Sequence, residues 1–288
     1  MPIQHISDTS RWMAYARAME AERPDAIFQD SLSRRLAGEA GEKIARAIGD
    51  AELIARGIAV RTAVMDELIL QKVKQDEVDL ILNLAAGLDT RPWRLALPSI
   101  LRWVDVDLPA ILKYKAGVVG CERSACKYES LDADITDSTA RARVFKHCGA
   151  ARRVLVVTEG LLVYLTSAQV AALAQDLHRQ SSFMWWLTDL TGPRALDMLR
   201  RVWGPVLRGA AFQFGPIDSV EFFRQLGWRE LLFRSSQVEA RRLHRGTSAM
   251  LLSRLMLVFS SAALREEFRR LSGVALLARD AVPASDAL

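Results

Sequence analysis

The chain of 288 residues is poor in cysteine and histidine, with three of the former and four of the latter. Cys121, Cys126 and Cys148 form no CxxC pair, so neither a disulfide framework nor a paired-cysteine metal site is expected. The histidines form no HxxxH or HExxH pattern, which disfavours a histidine-based metal centre. We therefore expect free thiols in a reducing compartment and no bound metal.

Long apolar runs are missing as well. The first 20 residues are polar and charged and contain no apolar stretch typical of a secretory signal. The longest apolar run of note, residues 249–260, spans 12 positions and includes Arg254, so it is too short and too charged to cross a bilayer. These absences predict a cytoplasmic protein that does not enter a membrane.

Positive charge is present in excess but is not concentrated. Basic residues number 39 against 34 acidic ones, and arginine supplies 32 of the basic residues. A nucleic-acid interface would require these charges to cluster on one face or arm. They are instead scattered through periodic segments, so we expect no nucleic-acid partner. With 50% hydrophobic residues, the chain can bury the core of an ordinary globular protein.

An alternation of helical and strand patterns runs along the chain. Apolar residues at helical spacing begin at Ser10, and the pattern is interrupted at Pro24. The pattern resumes over residues 30–40, and a longer predicted helix follows over about 51–74. Short apolar runs then alternate with helical segments. The predicted strands span residues 78–84, 101–106, 127–131, 153–158, 182–188, 228–234 and 274–279. This order predicts a doubly wound, mostly parallel α/β sheet, with the last two strands as an antiparallel pair at its edge.

The length and pattern favour one domain over two. Residues 1–75 are predicted to form a helical cover or lid over the sheet. Residues 76–288 form the predicted core, with helical insertions at about 192–215 and 246–272.

Polar residues or a glycine turn follow four of the predicted strands. In open α/β sheets, ligands bind at the carboxyl ends of the strands. The first strand leads into the small residues Ala85, Ala86 and Gly87, against which a ligand can lie closely. Asp107 follows 20 residues after Gly87, a spacing that suits a carboxylate bound to ribose hydroxyls. The alternative is an ordinary tight turn and helix cap.

The turn distinguishes between two nucleotide cofactors. A dinucleotide favours a GxGxxG turn that leads directly into a helix N-terminus, and no such motif is present. The chain continues instead into Leu88-Asp89-Thr90-Arg91-Pro92, with an acid where the phosphate would lie. This disfavours NAD, whereas the positively charged S-adenosylmethionine is compatible with nearby carboxylates.

Residues 82–95, LNLAAGLDTRPWRL, closely resemble the first motif of the leucine carboxyl methyltransferase family. This family includes bacterial polyketide O-methyltransferases of the tetracenomycin type. Three further segments agree with the family in order and spacing: Arg61-Thr62, VDVDLP at 104–109 and TEGLLVYL at 158–165. Residues 11–14 and 22–25 are similar to the bacterial branch of the family. The resemblance extends over roughly residues 8–190, and beyond them it concerns the layout only.

The resemblance implies a Rossmann-like class I methyltransferase with a seven-stranded sheet. Such an enzyme uses S-adenosylmethionine, releases S-adenosylhomocysteine and needs no metal. Arg61 is implied to bind the carboxylate of the methionine moiety, a pairing that guanidinium geometry favours. Gly87 and the backbone of Ala85 are implied to lie beside the same tail. Asn83, in the same motif, is implied to bind the cofactor as well, and Glu159 is implied to bind the ammonium. Ala85 departs from the glycine that many methyltransferases have at this position.

The implied nucleoside contacts come from the second and third strand ends. Asp107 is implied to bind the ribose and Leu108 to pack on the adenine. Asp134 is implied to accept from the adenine amino group, with the Ile135 backbone beside it. Asp132 is the alternative for this role, and a helix cap is the structural alternative for Asp134.

Tyr164 is implied to point at the methyl-transfer site and to orient the acceptor; the alternative is a core tyrosine. A carboxylate acceptor is ionised at neutral pH and needs no base, whereas a phenol or alcohol benefits from one. His178 and His244 are the candidate bases. Neither lies in a sequence pattern typical of a catalytic base, which favours a carboxylate as the methyl acceptor.

The acceptor pocket is expected between the N-terminal helices and residues 190–215. Aromatic residues that line it or pack in the core are Trp185, Trp186, Trp203, Phe212 and Phe214. Arg11 or Arg17 is a candidate contact for an anionic acceptor.

We expect an O-methyltransferase of bacterial secondary metabolism, a monomer or homodimer. Its acceptor would be a carboxylate or a phenolic or hydroxyl group of a specialised metabolite such as a polyketide. The alternatives are a protein C-terminal carboxyl methyltransferase, an NAD-type oxidoreductase and a non-catalytic nucleotide-binding module.

Overall fold

The computed structural model describes residues 6–47, 51–203, 211–246 and 260–280, with side chains from Thr9 onward. Three helices precede the sheet: α1 (Ile6–Ala21), α2 (Ser33–Ala47) and α3 (Ala51–Gln75). α3 confirms the long predicted helix, and its apolar positions are buried at helical spacing. α2 contains a kink at Gly38, where φ is +56°.

Among the described residues, the sheet has seven strands, as predicted. They are β1 (Leu80–Leu84), β2 (Arg102–Asp107), β3 (Lys127–Asp132), β4 (Val154–Thr158), β5 (Phe183–Thr191), β6 (Trp228–Ser235) and β7 (Ser272–Arg279). Their order is β3-β2-β1-β4-β5-β7-β6. The first five are parallel, and β7 is antiparallel to both β5 and β6. The predicted mostly parallel sheet with an antiparallel pair at its edge is confirmed.

Helices connect the strands and cover the sheet. They are α4 (Arg91–Arg94), α5 (Pro109–Val119), α6 (Ser138–Cys148), α7 (Ser167–His178), α8 (Pro193–Trp203), α9 (Ser219–Arg224), α10 (Ser236–Arg242) and α11 (Ala262–Arg269), with a short 3-10 helix at Leu162–Tyr164. The predicted insertion at 192–215 contains α8, and residues 204–210 of it lie outside the described residues. Of the insertion predicted at 246–272, residues 247–259 also lie outside them, and the described part contains α11.

The central strands are buried on both faces. Every residue of β1 and β4 is buried, which explains why they are short, nearly continuous apolar runs. Since side chains alternate along a strand, Leu82 packs into one apolar cluster and Ile81 into another on the opposite face. These buried strands are firm supports for the polar residues at their carboxyl ends.

Candidate active site

A cavity of about 700 Å³ opens at the carboxyl ends of β1, β2, β4 and β5. This volume is usual for a small-molecule site. All ten site residues predicted from the sequence line it: Arg61, Asn83, Ala85, Gly87, Asp107, Leu108, Asp134, Ile135, Glu159 and Tyr164. α1 and α3 supply the opposite wall. The structure therefore brings together residues that are up to about a hundred positions apart in the sequence.

The turn after β1 is held in a left-handed conformation. Ala85 and Gly87 both have φ of +52°, a region that costs a non-glycine residue about 1 kcal/mol. The Gly87 amide donates to Asp107 Oδ2 at 2.6 Å, and the Leu108 amide donates to Oδ1 at 2.7 Å. Burial raises the pKa of Asp107. The carboxylate thus ties β2 to the turn while it lines the cavity.

The third strand places Asp134 at the cavity and leaves Asp132 outside its described lining. Asp134 is exposed, and its Oδ1 accepts from the amide of Thr136 at 2.9 Å and from the Thr136 hydroxyl at 2.7 Å. It does not cap α6, because Asp137 takes that role. Ile135 is buried beside it. This placement agrees with the choice of Asp134 over Asp132, although its contact with adenine stays a prediction.

Charged side chains of opposite sign meet where β4 and β5 end. Arg61 Nε lies 3.1 Å from Glu159 Oε1, and Arg61 Nη1 lies 2.9 Å from Asp189 Oδ2. Glu159 Oε2 lies 2.7 Å from Arg91 Nη1. Burial opposes ionisation of Glu159, but attraction to Arg91 and Arg61 prevails and lowers its pKa to about 2. Glu159 is therefore a carboxylate at any physiological pH.

Asp189 and Arg91 are members of this cluster that the sequence patterns did not identify. Asp189 is the polar residue near the end of β5, so its position at the carboxyl end of a parallel strand was a usable signal. Arg91 is 1% exposed and also pairs with Asp66 and Asp89, each at 2.6 Å. Nothing in its spacing along the chain indicated these partners.

Asn83 lines the cavity, and its side-chain amide is bound to two carboxylates. Its Nδ2 donates to Asp89 Oδ2 at 3.1 Å and to Asp105 Oδ1 at 3.0 Å. Asp105 is fully buried and pairs with Lys115 Nζ at 2.6 Å. Asn83 therefore links two buried carboxylates, each of which has its own cationic partner.

The other end of the cavity is apolar. Ile54, Ile58 and Arg61 are spaced i, i+4 and i+7 on α3, so one helix face supplies the apolar wall and the charged cluster. The apolar lining residues that belong to one packed cluster are Met13, Ile54, Ile58, Val163, Tyr164, Leu199 and Phe212. This apolar end is therefore continuous with the core between the N-terminal helices and α8.

Tyr164 lies at this apolar end, in the short 3-10 helix. Its ring centroid is 5.2 Å from that of Phe212, with 30° between the ring planes. The Gln213 amide donates to the Val163 carbonyl at 2.7 Å, which fixes Phe212 beside the 3-10 helix. Burial raises the pKa of Tyr164, partly offset by a hydrogen bond with Thr9. The hydroxyl therefore stays protonated at neutral pH.

Most of the candidate aromatic residues pack in the core. Trp185 and Trp186 are both fully buried, on opposite faces of β5, and Phe214 packs against Phe222. Only Phe212 of the described candidates lines the cavity. The side chain of Trp203 lies outside the described residues. The core-packing alternative thus holds for three of the five.

Neither candidate histidine is among the described lining residues. His178 lies at the end of α7, with its ring 6.0 Å from the Trp228 ring, and His244 follows α10. Arg11 stacks on the Tyr114 ring at 3.8 Å. Arg17 does line the cavity, but it pairs with Asp30 at 3.2 Å and donates to the Leu88 carbonyl at 2.5 Å. A histidine base is therefore not supported by the described geometry.

The described part of the chain lacks two further features. No cluster of three or more His, Cys, Asp or Glu side chains there is arranged to hold a metal ion. Within the same residues, no helix combines the length and apolar character needed to cross a bilayer.

Comparison with known proteins decides the family. The family model of leucine carboxyl methyltransferase matches residues 10–178, which is more than half of the chain. The chain belongs to the leucine carboxyl methyltransferase family. The membership predicted from residues 82–95 is confirmed.

The relatives of this leucine carboxyl methyltransferase family member include candidate S-adenosyl-L-methionine-dependent methyltransferases of actinobacteria. The Parafrankia protein is 30% identical over 187 residues, which are 62% of this chain and 60% of that protein. The Streptomyces coelicolor protein is 32% identical over 186 residues, 60% of this chain and 65% of that protein. The match thus spans less than two thirds of either relative. The Saccharopolyspora erythraea protein is 27% identical over 243 residues, 79% of this chain and 84% of that protein.

Solved structures show the same fold. A DUF574 family protein from Streptomyces avermitilis superimposes with a TM-score of 0.60 at 12% identity, covering 94% of this chain and 97% of that one. A candidate methyltransferase from Thermobifida fusca gives a TM-score of 0.55 at 14% identity, covering 92% and 94%. The predicted Rossmann-like methyltransferase fold is confirmed.

Proposed function

We propose that this chain is an S-adenosylmethionine-dependent methyltransferase that methylates an oxygen atom of a small, largely apolar molecule. The observation that carries the proposal is the division of the cavity. Its charged end lies at the strand ends, and its apolar end lies between α1, α3 and α8. Family membership supports methyl transfer as the reaction.

The residues at the charged end fit the cofactor. Its amino-acid tail carries a carboxylate and an ammonium, and Arg61 and Glu159 offer the opposite charges 3.1 Å apart. A Cβ at position 87 would lie 3.3 Å from Ser10 Cβ, so glycine keeps this side of the cavity open. Asp107 offers oxygen acceptors beside the same turn, as ribose hydroxyls require.

Each group then has a distinct task. Arg61 and Glu159 bind the tail, Asp107 binds the ribose, and Asp134 accepts from the adenine. Leu108 and Ile135 provide apolar surface for the adenine ring. The cofactor, when bound, supplies a methyl group activated by attachment to a sulfonium. The apolar wall excludes water and holds the acceptor, so positioning accounts for most of the acceleration.

Tyr164 is proposed to orient the acceptor. Because burial raises its pKa, the hydroxyl donates a hydrogen bond to the acceptor oxygen rather than removing its proton. No histidine among the described lining residues offers a base. This favours a carboxylate acceptor, already ionised at neutral pH, over a phenol or alcohol. A specialised metabolite such as a polyketide acid has the apolar character that this end of the cavity accommodates.

The helical segment that precedes the sheet is proposed to act as a cover. α1 contributes Thr9, Ser10 and Met13 to the cavity lining, and α3 contributes Ile54 and Ile58. Both helices therefore stand between the strand ends and solvent.

Calorimetric titration with S-adenosylhomocysteine and with NAD tests the cofactor. We expect S-adenosylhomocysteine to bind and NAD not to bind; binding of NAD alone would overturn the proposal.

Incubation with S-adenosylmethionine and a panel of aromatic acids and phenols, followed by mass spectrometry, then identifies the acceptor by the gain of one CH₂ unit. If the acceptor is an acid, the rate should be independent of pH around neutrality; if it is a phenol, the rate should rise with pH.

A further inference from the structure

Asp189 joins the two residues that we propose for the cofactor tail. Its Oδ2 lies 2.9 Å from Arg61 Nη1. Its Oδ1 accepts from the amide of Gly160 at 2.7 Å. Gly160 directly follows Glu159 and has φ of +65°, so this hydrogen bond secures a left-handed turn next to the Glu159 backbone. One carboxylate therefore contacts a guanidinium on α3 and the turn after β4.

The contacts of Arg61 show what Asp189 determines. Its Nε donates to Glu159, its Nη1 to Asp189, and its Nη2 to the sulfur of Met13 at 3.7 Å. A thioether is a weak acceptor, so Nη2 remains available to a carboxylate that enters the cavity. With Nε and Nη1 each bound to a different acid, the orientation of the guanidinium plane is defined.

Loss of the Asp189 charge would change this orientation. Glu159 would then be the remaining acid among these partners of Arg61, and its Oε2 is already bound to Arg91 Nη1 at 2.7 Å. An acid would therefore hold Arg61 through Nε alone, and the guanidinium plane would be free to turn about that contact. Asp189 thus fixes the orientation of Nη2, the donor proposed for the tail carboxylate.

We propose that Asp189 is a positioning residue that orients Arg61 and the Glu159 turn to recognise the zwitterionic tail of the cofactor. This inference rests on the proposed function. Asp189 belongs to the cavity lining, and its side chain is 16% exposed, so it is accessible to the same ligand. Its effect should be confined to ligands that have the amino-acid tail.

Two ligands separate this role from a purely structural one. S-adenosylhomocysteine has the tail, whereas 5′-methylthioadenosine has the same nucleoside and a thioether without it. For Asp189→Asn we expect the Kd of S-adenosylhomocysteine to rise about tenfold or more, equivalent to ~1.4 kcal/mol, because a charged hydrogen bond is lost. The Kd of 5′-methylthioadenosine should stay unchanged. Both are measured by calorimetry on the full chain.

The remaining outcomes are equally informative. Equal weakening of both ligands, or unchanged S-adenosylhomocysteine affinity, would overturn the inference. Absence of S-adenosylhomocysteine binding to the unaltered protein would instead overturn the proposed function. Both ligands bind the same folded molecules. The ratio of their Kd values therefore does not depend on how much of the variant is folded.

Two companion variants complete the test. Asp189→Glu keeps the charge and should lose less affinity for S-adenosylhomocysteine than Asp189→Asn; equal losses would assign the effect to side-chain shape and overturn the inference. Glu221→Gln removes a carboxylate from an exposed arginine pair on α9, 2.7 Å from Arg224, outside the cavity lining. It should change neither Kd.

Discussion

The two ends of the cavity are built from different parts of the chain. The charged end is formed by residues at the carboxyl ends of β1, β2, β4 and β5, together with Arg61 on α3. The apolar end combines α1, α3, the 3-10 helix, α8 and the segment at Phe212. The family model spans residues 10–178, which include most of both ends but neither Asp189 of the charged end nor Leu199 and Phe212 of the apolar end. Under the proposed function, the charged end binds the cofactor and the apolar end binds the acceptor.

Removal of Arg61 should have the largest effect on ligand binding, and it should be confined to the charged end. Arg61→Ala leaves Glu159 and Asp189 without this cationic partner, and we expect S-adenosylhomocysteine affinity to fall about 30- to 100-fold. Calorimetry measures it. Arg56→Ala, on the same helix at an exposed pair with Glu52, is the control and should bind as before. An unchanged affinity for Arg61→Ala would show that the charged end does not bind the tail.

Acid should weaken the ion pairs of the charged end. Glu159 has a pKa of about 2 in the folded protein against an ordinary 4.5. Its contribution to stability, on the order of 3 kcal/mol, is complete above pH 4.5 and is lost as the pH falls from 4.5 through about 2. Urea unfolding across this interval should therefore show a shallower pH dependence for Glu159→Gln. Glu52→Gln should follow the unaltered protein, and a parallel curve for Glu159→Gln would contradict the assigned pairing.

A change at the apolar end should affect turnover and spare the cofactor. Tyr164→Phe removes one hydrogen bond to the acceptor oxygen, and we expect kcat to fall about tenfold with the S-adenosylhomocysteine Kd unchanged. Tyr114→Phe removes a hydroxyl that donates to the Leu36 carbonyl at 3.0 Å, outside the cavity, and should leave kcat as it was. Full turnover by Tyr164→Phe would remove the role proposed for this hydroxyl.

The smallest expected effect concerns the turn after β1. Ala85→Gly relieves a left-handed φ of +52° and should raise the free energy of unfolding by about 0.5–1 kcal/mol. Ala86 is not among the residues with positive φ, so Ala86→Gly should lower it by a similar amount through chain entropy. Thermal denaturation measures both variants. Their changes in stability should have opposite signs if the turn is as described, and the same sign would contradict it.

The strands and the positions that directly follow them were predictable because their signals are local. A continuous apolar run such as Leu80–Leu84 identifies a buried parallel strand, and the residue after it lies at the ligand-binding edge. Asp107 and Gly87 meet at this edge, where the Gly87 amide donates to the Asp107 carboxylate. The prediction of these positions required no knowledge of distant contacts.

The rest depends on contacts that one-dimensional spacing does not reveal. Arg61, Arg91, Glu159 and Asp189 come together from four separate segments, and only the strand order places them side by side. The tryptophan pair at 185 and 186 illustrates the same limit. Because β5 is covered on both faces, adjacent apolar residues there enter the core on opposite sides instead of lining a pocket.

The position of β7 between β5 and β6 has a consequence for how the protein matures during synthesis. One edge of β5 pairs with β4, and the other pairs with β7, the last described strand along the chain. A growing chain therefore exposes an unpaired β5 edge until residues 272–279 leave the ribosome. Since Asp189 lies in β5 opposite Val274 of β7, we expect ribosome-bound chains that stop before β7 not to bind S-adenosylhomocysteine.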